Sequence, residues 1–285
     1  MSRATAIAAA GIVLAACACA DDAATRPATR KRPPRIVFCS DRDGPWRIFS
    51  CRPDGSDVKR LTNAADDAHD VDPAWGPDGR SILFTSTRGG KAGVWRKALP
   101  AGKPERICDG DQAEWSPDAK RVALRRAGRI VVRTLADGKE RTVSPEALKL
   151  CSGPAWGPDG RTLAFAARTG KRNAMYLVPA AGGAATKLYD KKGACEPHFA
   201  PDGKRIVYET ETHICTIGVD GKSNRLVTWF GGVQRYGRYG PDGKRIVFCQ
   251  APSPAGPWQL YVVPAGGGTP TKLTEGASDM YPDWR

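Results

Sequence analysis

The stretch Pro73-Ala74-Trp75-Gly76-Pro77-Asp78-Gly79-Arg80-Ser81-Ile82-Leu83-Phe84 decides the fold, because its parts recur along the chain. A Pro-Asp-Gly turn or its near copy begins at Pro77, Pro117, Pro158, Pro201 and Pro241, with spacings of 40, 41, 43 and 40 residues. An aromatic residue stands two positions before each proline, and a short apolar, mostly β-branched run follows each turn. This period predicts a repeat architecture in which each unit is one small sheet.

The aromatic positions give the number of repeats. They are Trp75, Trp115, Trp156, Phe199 and Tyr239, with a sixth at Trp284 in the closing Pro282-Asp283-Trp284. Two further short strands follow the apolar run in each unit, so every repeat of about 40 residues contains four strands, as in a β-propeller blade. No segment between the strands has the 3.6-residue period of a helix, which excludes a parallel α/β sheet.

The two ends of the chain predict how the ring closes. The first repeat, at Ile36-Val37-Phe38, lacks its aromatic strand, whereas Asp279 to Arg285 is one such strand without the rest of a blade. We therefore expect an all-β, six-bladed β-propeller with four-stranded antiparallel blades, in which the C-terminal strand completes the N-terminal blade. Closure of this kind removes the open sheet edge that would otherwise invite aggregation.

At these motifs the chain resembles a known family. The pattern Pro-x-Trp-Gly-Pro-Asp-Gly-Arg-x-Ile-x-Phe, with Ser40-Asp41-Arg42-Asp43-Gly44 at a hairpin, resembles the propeller repeats of the periplasmic TolB family and of the prolyl-oligopeptidase N-terminal propeller. The resemblance covers about residues 35–285 and implies the fold more than a function, because this repeat serves many roles. TolB has an additional N-terminal α/β domain, whereas this chain has only a short segment there.

The first residues predict export. Arg3 precedes a short apolar run, Ala4 to Ala16, which is too short to span a bilayer and is typical of a signal peptide. Leu14-Ala15-Ala16-Cys17 resembles the lipobox of bacterial lipoproteins, which implies a signal peptide over 1–16 and acylation of Cys17. An ordinary signal peptide cleaved near Ala20 stays the alternative.

The residues after Cys17 bear on localisation and domain organisation. By the same resemblance, Ala18 directly after the cysteine implies sorting to the periplasmic side of the outer membrane. If the lipobox is not used, we expect a protein free in the periplasm. Residues 17–34 form a predicted flexible basic tether, and residues 35–285 form the propeller.

Composition and charge limit the class of protein and the kinds of binding partner. Hydrophobic residues make up 41% of the chain and charged residues 26%, which excludes a polytopic membrane protein and a disordered one. The net charge of +14 favours an anionic partner. Because an exported protein rarely meets nucleic acid, we expect a monomer that binds an envelope protein or a peptide, or an acidic glycan.

Candidate site residues lie in the segments just before each aromatic strand, because a propeller brings these segments to one mouth of its central channel. The predicted binding residues are His69, Asp70, Asp72, Asp111, Glu114, Ser152, Glu196, His198, Arg235, Arg238 and Asp279. The alternative is that their carboxylates and hydroxyls cap turns locally.

The residue inventory favours binding over catalysis. The chain has no Gly-x-Ser-x-Gly elbow and no hydrolase domain after the propeller, so we expect no enzyme of that class. The alternative is a polysaccharide lyase acting on acidic sugars with Arg, His69 and His198. The segment Asp66 to Asp72 carries carboxylates beside an imidazole but matches no fixed ligand spacing, so neither a metal nor a cofactor is expected.

Seven cysteines fall within the propeller. Cys39 and Cys249 occupy equivalent positions in neighbouring blades, about 10 Å apart by our estimate and beyond the reach of a disulfide, so we expect buried thiols there. Cys151 and Cys195 lie in equivalent loops, and export permits disulfides, which makes them the best candidate pair.

Overall fold

Twenty-four β-strands make up the regular structure of residues 33–63 and 67–285, the parts of the chain that this computed structural model describes. No α-helix occurs in these residues. In chain order the strands are β1 Ile36–Ser40, β2 Arg47–Cys51, β3 Lys59–Arg60, β4 Asp70–Trp75, β5 Ser81–Ser86, β6 Gly93–Ala98, β7 Glu105–Asp109, β8 Asp111–Trp115, β9 Arg121–Arg126, β10 Arg129–Thr134, β11 Glu140–Thr142, β12 Lys149–Trp156, β13 Thr162–Thr169, β14 Arg172–Pro179, β15 Thr186–Tyr189, β16 Cys195–Phe199, β17 Arg205–Glu209, β18 Ile214–Gly218, β19 Arg225–Leu226, β20 Val233–Tyr239, β21 Arg245–Ala251, β22 Gln259–Pro264, β23 Thr271–Lys272 and β24 Asp279–Trp284.

These strands form six antiparallel sheets of four strands each. Five sheets use consecutive strands, from β4-β5-β6-β7 to β20-β21-β22-β23, and the sixth has the order β24-β1-β2-β3. The predicted six-bladed β-propeller is therefore confirmed. We number the blades in chain order and count β24-β1-β2-β3 as blade one.

The closing strand pairs with the first one along its whole length, with one register shift between Val37 and Cys39. Trp284 lies opposite Ile36, and Asp279 lies opposite Ser40, at the two ends of the β24-β1 ladder. Beyond the strand ends, the Arg35 amide donates to the Arg285 carbonyl at 2.6 Å and the Arg285 amide donates back at 3.0 Å. The prediction that the C-terminal strand completes the N-terminal blade is confirmed.

The core lies between the blades. The second strand of each blade is apolar and buried on both faces, as in Ile82-Leu83-Phe84, because each blade packs against a neighbour on either side. The repeat aromatic packs on the preceding blade, so Trp284 of blade one joins Val247 and Val262 of blade six. This arrangement explains why one aromatic per repeat was visible in the sequence: each fills one inter-blade space.

Arginines cover the outer ends of these aromatic contacts. The Arg121 guanidinium lies 4.7 Å from the ring centroid of Trp156, and that of Arg245 lies 4.6 Å from the ring centroid of Trp284. In both cases the arginine begins the second strand of one blade and the tryptophan ends the first strand of the next. Guanidinium stacking on an indole face therefore adds a second inter-blade contact to the apolar one.

The Pro-Asp-Gly turns are closed by their own aspartates. The Asp159 carboxylate accepts the Arg161 amide at 2.9 Å, and the next residue, Gly160, has a φ of 64°. Asp78, Asp118, Asp202 and Asp242 accept the equivalent amides. Such a turn requires a left-handed residue after the aspartate, which glycine adopts without steric cost.

The structure does not pair Cys151 with Cys195. All seven cysteines in the described residues are free. The Cys151 thiol donates to the Leu148 carbonyl at 3.7 Å, and the Cys195 thiol donates to the Glu209 carboxylate at 3.4 Å. Aligned on the aromatic, Cys151 and Cys195 differ by one position, and alternation along a strand sends adjacent positions to opposite faces. Cys39 and Cys249 are fully buried, as expected.

The signal peptide, the acylation of Cys17 and most of the tether fall on residues 1–32, outside the described residues. Within the described parts of the chain, no helix has the length and hydropathy needed to cross a membrane.

Candidate binding site at the central channel

The first strands of the six blades, β4, β8, β12, β16, β20 and β24, surround one central cavity of about 50 Å³. Its lining residues are Asp72, Pro73, Ala74, Gln112, Ala113, Glu114, Gly153, Pro154, Glu196, His198, Arg238, Tyr281 and Asp283. All of them come from these six strands, so the cavity is the channel of the propeller. We call the end at which these strands begin the mouth face.

A left-handed residue marks the same position in every first strand. These residues are Asp72, Gln112, Gly153, Glu196, Tyr236 and Tyr281, with φ values of 49°, 47°, 56°, 49°, 57° and 52°. A β-bulge accompanies the position in each blade, seen as a shift in register against the second strand. A bulge bends a strand and changes the direction of its side chains. We call these six residues the upper ring.

The residues two positions later form a lower ring, which consists of Ala74, Glu114, Ala155, His198, Arg238 and Asp283. Four of its members carry ionisable groups. Ala74 also lines the cavity, whereas Ala155 is buried in the apolar core with Phe199. The two rings together determine the chemistry of the channel.

Hydrogen bonds order one side of the upper ring. The Gln112 side-chain amide donates to Glu196 Oε1 at 3.3 Å and accepts the Gly153 amide at 3.1 Å. A Cβ on Gly153 would lie 3.0 Å from Glu196 Oε2, so a glycine at this position leaves room for the carboxyl group. On the other side, the rings of Tyr236 and Tyr281 lie 4.1 Å apart.

His198 and Glu114 face each other in the lower ring. Their Nε2 and Oε1 atoms lie 3.8 Å apart, and their side chains are 20% and 24% exposed. Burial, and to a lesser extent the positive charge of Arg238, lower the pKa of His198 to about 3. Burial raises the pKa of Glu114 to about 8. At neutral pH the imidazole is therefore uncharged and the carboxyl is largely protonated. The contact is not an ion pair, and it is too long for a hydrogen bond.

Three further carboxyl groups complete the acidic lining. Burial, with the charge of Asp111, raises the pKa of Asp72 to about 6. Burial, with the charge of Glu209, raises the pKa of Glu196 to about 7. Burial also raises the pKa of Asp283, which accepts the Trp75 amide at 2.7 Å. Against four carboxyl groups the cavity lining has one guanidinium, that of Arg238.

The channel brings together five of the residues predicted from the sequence: Asp72, Glu114, Glu196, His198 and Arg238. Asp111, Ser152 and Arg235 each directly precede an upper-ring residue, at the mouth. The Arg125 guanidinium holds Asp111 through contacts of 2.6 and 2.8 Å, and Arg235 lies 3.0 Å from Glu209. Neither ion pair lines the cavity.

Asp70 and Asp279 do not line the channel. Both carboxylates are fully buried, and each accepts a bidentate pair of contacts, Asp70 from Arg88 at 2.7 and 2.6 Å and Asp279 from Arg42 at 2.9 and 3.1 Å. Each stands two positions before an upper-ring residue, and the bulge breaks the alternation that would have placed it in the channel. These two carboxylates anchor the hairpins that carry their arginines.

His69 lies apart from His198. Its side chain is exposed on the mouth face, where Nδ1 accepts the Trp46 amide at 3.4 Å, and it does not line the cavity. No group of three or more His, Cys, Asp or Glu side chains with metal-binding geometry occurs in residues 33–63 and 67–285. Asp66 of the acidic segment lies outside these ranges.

The lining residues that sequence reasoning missed include Gln112, Gly153, Tyr281 and Asp283. The signal was available for Asp283, which directly precedes a repeat aromatic, as do Glu114, His198 and Arg238. No sequence signal marked the left-handed position, because five different residue types occur there among the six blades.

Comparison with known proteins places the chain in a family. The family described as TolB beta propeller domain (PD40) matches residues 18–129 and 112–285. A protein named TolB homolog from Chlorobium chlorochromatii is 29% identical over 175 residues, which are 61% of this chain and 30% of that protein. The chain thus spans less than a third of this relative's length.

Solved structures share the fold. TolB from Acinetobacter baumannii superposes with a TM-score of 0.74 and 18% identity, covering 88% of this chain and 66% of that one. An oligogalacturonate lyase in complex with manganese superposes with a TM-score of 0.55 and 17% identity, covering 86% and 73%. At these identities the likeness shows the fold alone. The match to the family over nearly the whole chain shows more: the protein belongs to the TolB beta-propeller domain family.

Proposed function

We propose that the protein is an exported, lipid-anchored propeller that serves as a non-catalytic protein- or peptide-binding module of the cell envelope, with its ligand bound at the channel. Membership of the TolB propeller family supports an envelope role. The named relatives that carry the word TolB, one of them a Tol-Pal system protein from Francisella tularensis, support a protein partner.

The acidic channel carries this proposal. Asp72, Glu114, Glu196 and Asp283 face a narrow cavity that contains a single guanidinium. Carboxyl groups whose pKa is raised by burial and by each other regain favourable interactions when a cation enters between them. The complementary group is a lysine or arginine side chain, or a chain-terminal amine, presented by an extended segment of a partner.

The lyase alternative has weaker support from the same residues. A polyuronide carries one carboxylate per sugar and would be repelled by the ionised lining. His198, with a pKa near 3, is a poor general base at neutral pH, where the ideal catalytic pKa lies near the working pH.

Peptide binding to the propeller fragment 34–285 tests the channel. We expect lysine- and arginine-containing peptides to bind more tightly than matched neutral or acidic ones in calorimetric titrations. Affinity should rise between about pH 6 and about pH 8, because Asp72, Glu196 and Glu114 ionise over that range. Glu196→Gln should weaken binding about tenfold and flatten the pH dependence, while Glu146→Gln, at an exposed site outside the channel, should not.

Two results would overturn the binding role. One is a preference for acidic peptides that survives Glu196→Gln. The other is release of unsaturated product, followed by absorbance, from a polyuronide incubated with the fragment and manganese, provided that His198→Ala abolishes it.

The anchor has its own prediction. Cys17→Ser should move the protein from the membrane fraction to the soluble periplasm, because it removes the acylated residue. The thermal transition should stay unchanged, since the twenty-four strands that the structure describes in residues 33–63 and 67–285 all lie after residue 35. Cell fractionation followed by immunoblotting measures the distribution. Unchanged membrane association in the variant would refute the lipobox interpretation.

A further inference from the structure

The strands of blade four extend further on the mouth face than the strands of the other blades. Its first three strands, β12, β13 and β14, have eight residues each, whereas the first three strands of the other blades have five to seven. Aligned on the repeat, β12 begins two residues earlier than β4, and β13 ends two residues later than β5. The extra residues of the sheet project from the mouth face.

The projecting end is basic. Lys149 lies opposite Arg168 in the β12-β13 ladder, and Lys171 follows in the two-residue turn that leads to Arg172. Lys192 belongs to the adjacent loop, whose Gly193 approaches Glu211, the residue that Arg172 contacts at 4.0 Å. We call Lys149, Leu150, Arg168, Lys171, Arg172 and Lys192 the blade-four patch. All six side chains are exposed.

An apolar side chain stands within this charge. Leu150 is 69% exposed, the most exposed large apolar residue of the described chain. It has a φ of 50° and lies in the register shift between Lys149 and Ser152. A bulge changes the direction of a side chain, and here it leaves the leucine side chain exposed. The left-handed backbone conformation of a leucine costs conformational energy, so this exposure is maintained against backbone strain.

We infer that the blade-four patch docks the propeller onto an anionic lipid surface. Five cations against the neighbouring exposed Glu146 and Glu211 give the patch a net positive charge. Cations attract the patch to anionic headgroups, and a leucine at the tip enters the interface between headgroups and acyl chains. The six side chains are exposed at one end of the sheet, and this arrangement suits a flat partner better than a protein side chain that needs a pocket.

Vesicle sedimentation tests this docking. The fragment 34–285 is suitable, because it contains every strand and core cluster found in the described residues and excludes Cys17. We expect it to sediment with phosphatidylglycerol-containing vesicles, to bind pure phosphatidylcholine vesicles much less, and to dissociate as salt is raised.

Substitutions locate the binding surface. Lys171→Glu combined with Arg172→Glu should lower vesicle partitioning about tenfold or more, and Leu150→Ser should lower it roughly fivefold. The matched control is Lys120→Glu combined with Arg161→Glu, an exposed lysine and arginine on the opposite face, which should change partitioning less than about twofold. Thermal transitions of all variants verify folding.

Three outcomes would overturn the inference. The first is no sedimentation of the fragment with anionic vesicles. The second is a loss of binding by the control pair as large as that by the patch pair. The third is equal binding to vesicles of phosphatidylcholine alone. Binding to immobilised polyglutamate without binding to anionic vesicles would replace the lipid surface with an acidic protein partner.

Discussion

At the residue scale, burial keeps Glu114 and His198 uncharged in the channel at neutral pH. Glu114 keeps its proton because burial disfavours its charge, and His198 stays neutral for the same reason. Burial therefore raises the pKa of the acid and lowers the pKa of the base. The result is a lining whose negative charge increases as the pH rises, and which is ready to exchange protons for a cationic ligand.

This ionisation predicts how stability depends on pH. The folded-state pKa of Glu114, about 8, lies above the ordinary 4.5, so its contribution to stability is full below about pH 4.5 and is lost as the pH rises through 8. Glu114→Gln cannot ionise and escapes this loss. The melting temperature of the variant, relative to the unsubstituted protein, should therefore rise between about pH 5 and about pH 9 in thermal scans.

The control for this prediction is Glu146→Gln, at an exposed glutamate outside the channel. Its melting-temperature difference should be the same at both pH values. A difference for Glu114→Gln that stays constant with pH would mean that Glu114 ionises in the folded protein as it does in the unfolded chain.

At the element scale, the Pro-Asp-Gly turns offer a natural comparison. The left-handed position is glycine in four of the turns, Gly79, Gly160, Gly203 and Gly243, but alanine in blade three, where Ala119 has a φ of 57°. A Cβ in this conformation costs roughly 1 kcal/mol. Ala119→Gly should therefore raise the free energy of unfolding by up to about 1 kcal/mol, offset in part by the greater freedom of glycine in the unfolded chain.

The reverse substitution, Gly160→Ala, should lower the free energy of unfolding by a similar amount. A Cβ on Gly160 would meet no atom nearer than 3.8 Å, so backbone strain is its main cost. Denaturant titrations of both variants give the two values. A destabilising Ala119→Gly would show that this turn does not limit the stability of blade three.

The elements also show how far the sequence determines the site. The repeat predicted all six blades and the closing strand, because aromatic and turn positions report packing that every blade shares. It placed Glu114, Glu196 and His198 in the channel for the same reason. It misplaced Asp70 and Asp279, because a bulge one to two residues away reverses the side-chain direction and has no residue signature of its own.

At the scale of the whole molecule, the ring depends on its last strand. β24 is held by hydrogen bonds to β1 on one side, and Trp284 packs against blade six beneath Arg245 on the other. Blade one is therefore joined to its neighbour by a segment from the far end of the chain. This long-range contact makes the stability of the ring sensitive to a few C-terminal residues.

Two tryptophans test this dependence. Trp284 is 5% exposed, and Trp284→Ala should lower the free energy of unfolding by about 3 to 5 kcal/mol, a large part of the roughly 5 to 15 kcal/mol that stabilises a typical domain. Trp229 is 61% exposed, and Trp229→Ala should change the free energy of unfolding by less than about 0.5 kcal/mol.

Deleting Asp279 to Arg285 should destabilise the protein more than Trp284→Ala does, because the deletion also exposes the edge of β1. We expect aggregation or loss of the cooperative thermal transition. Calorimetry of the three variants compares them directly. If the deletion melted like Trp229→Ala, the ring would not be closed by its C-terminal strand, since seven frayed residues can be removed from most domains at little cost.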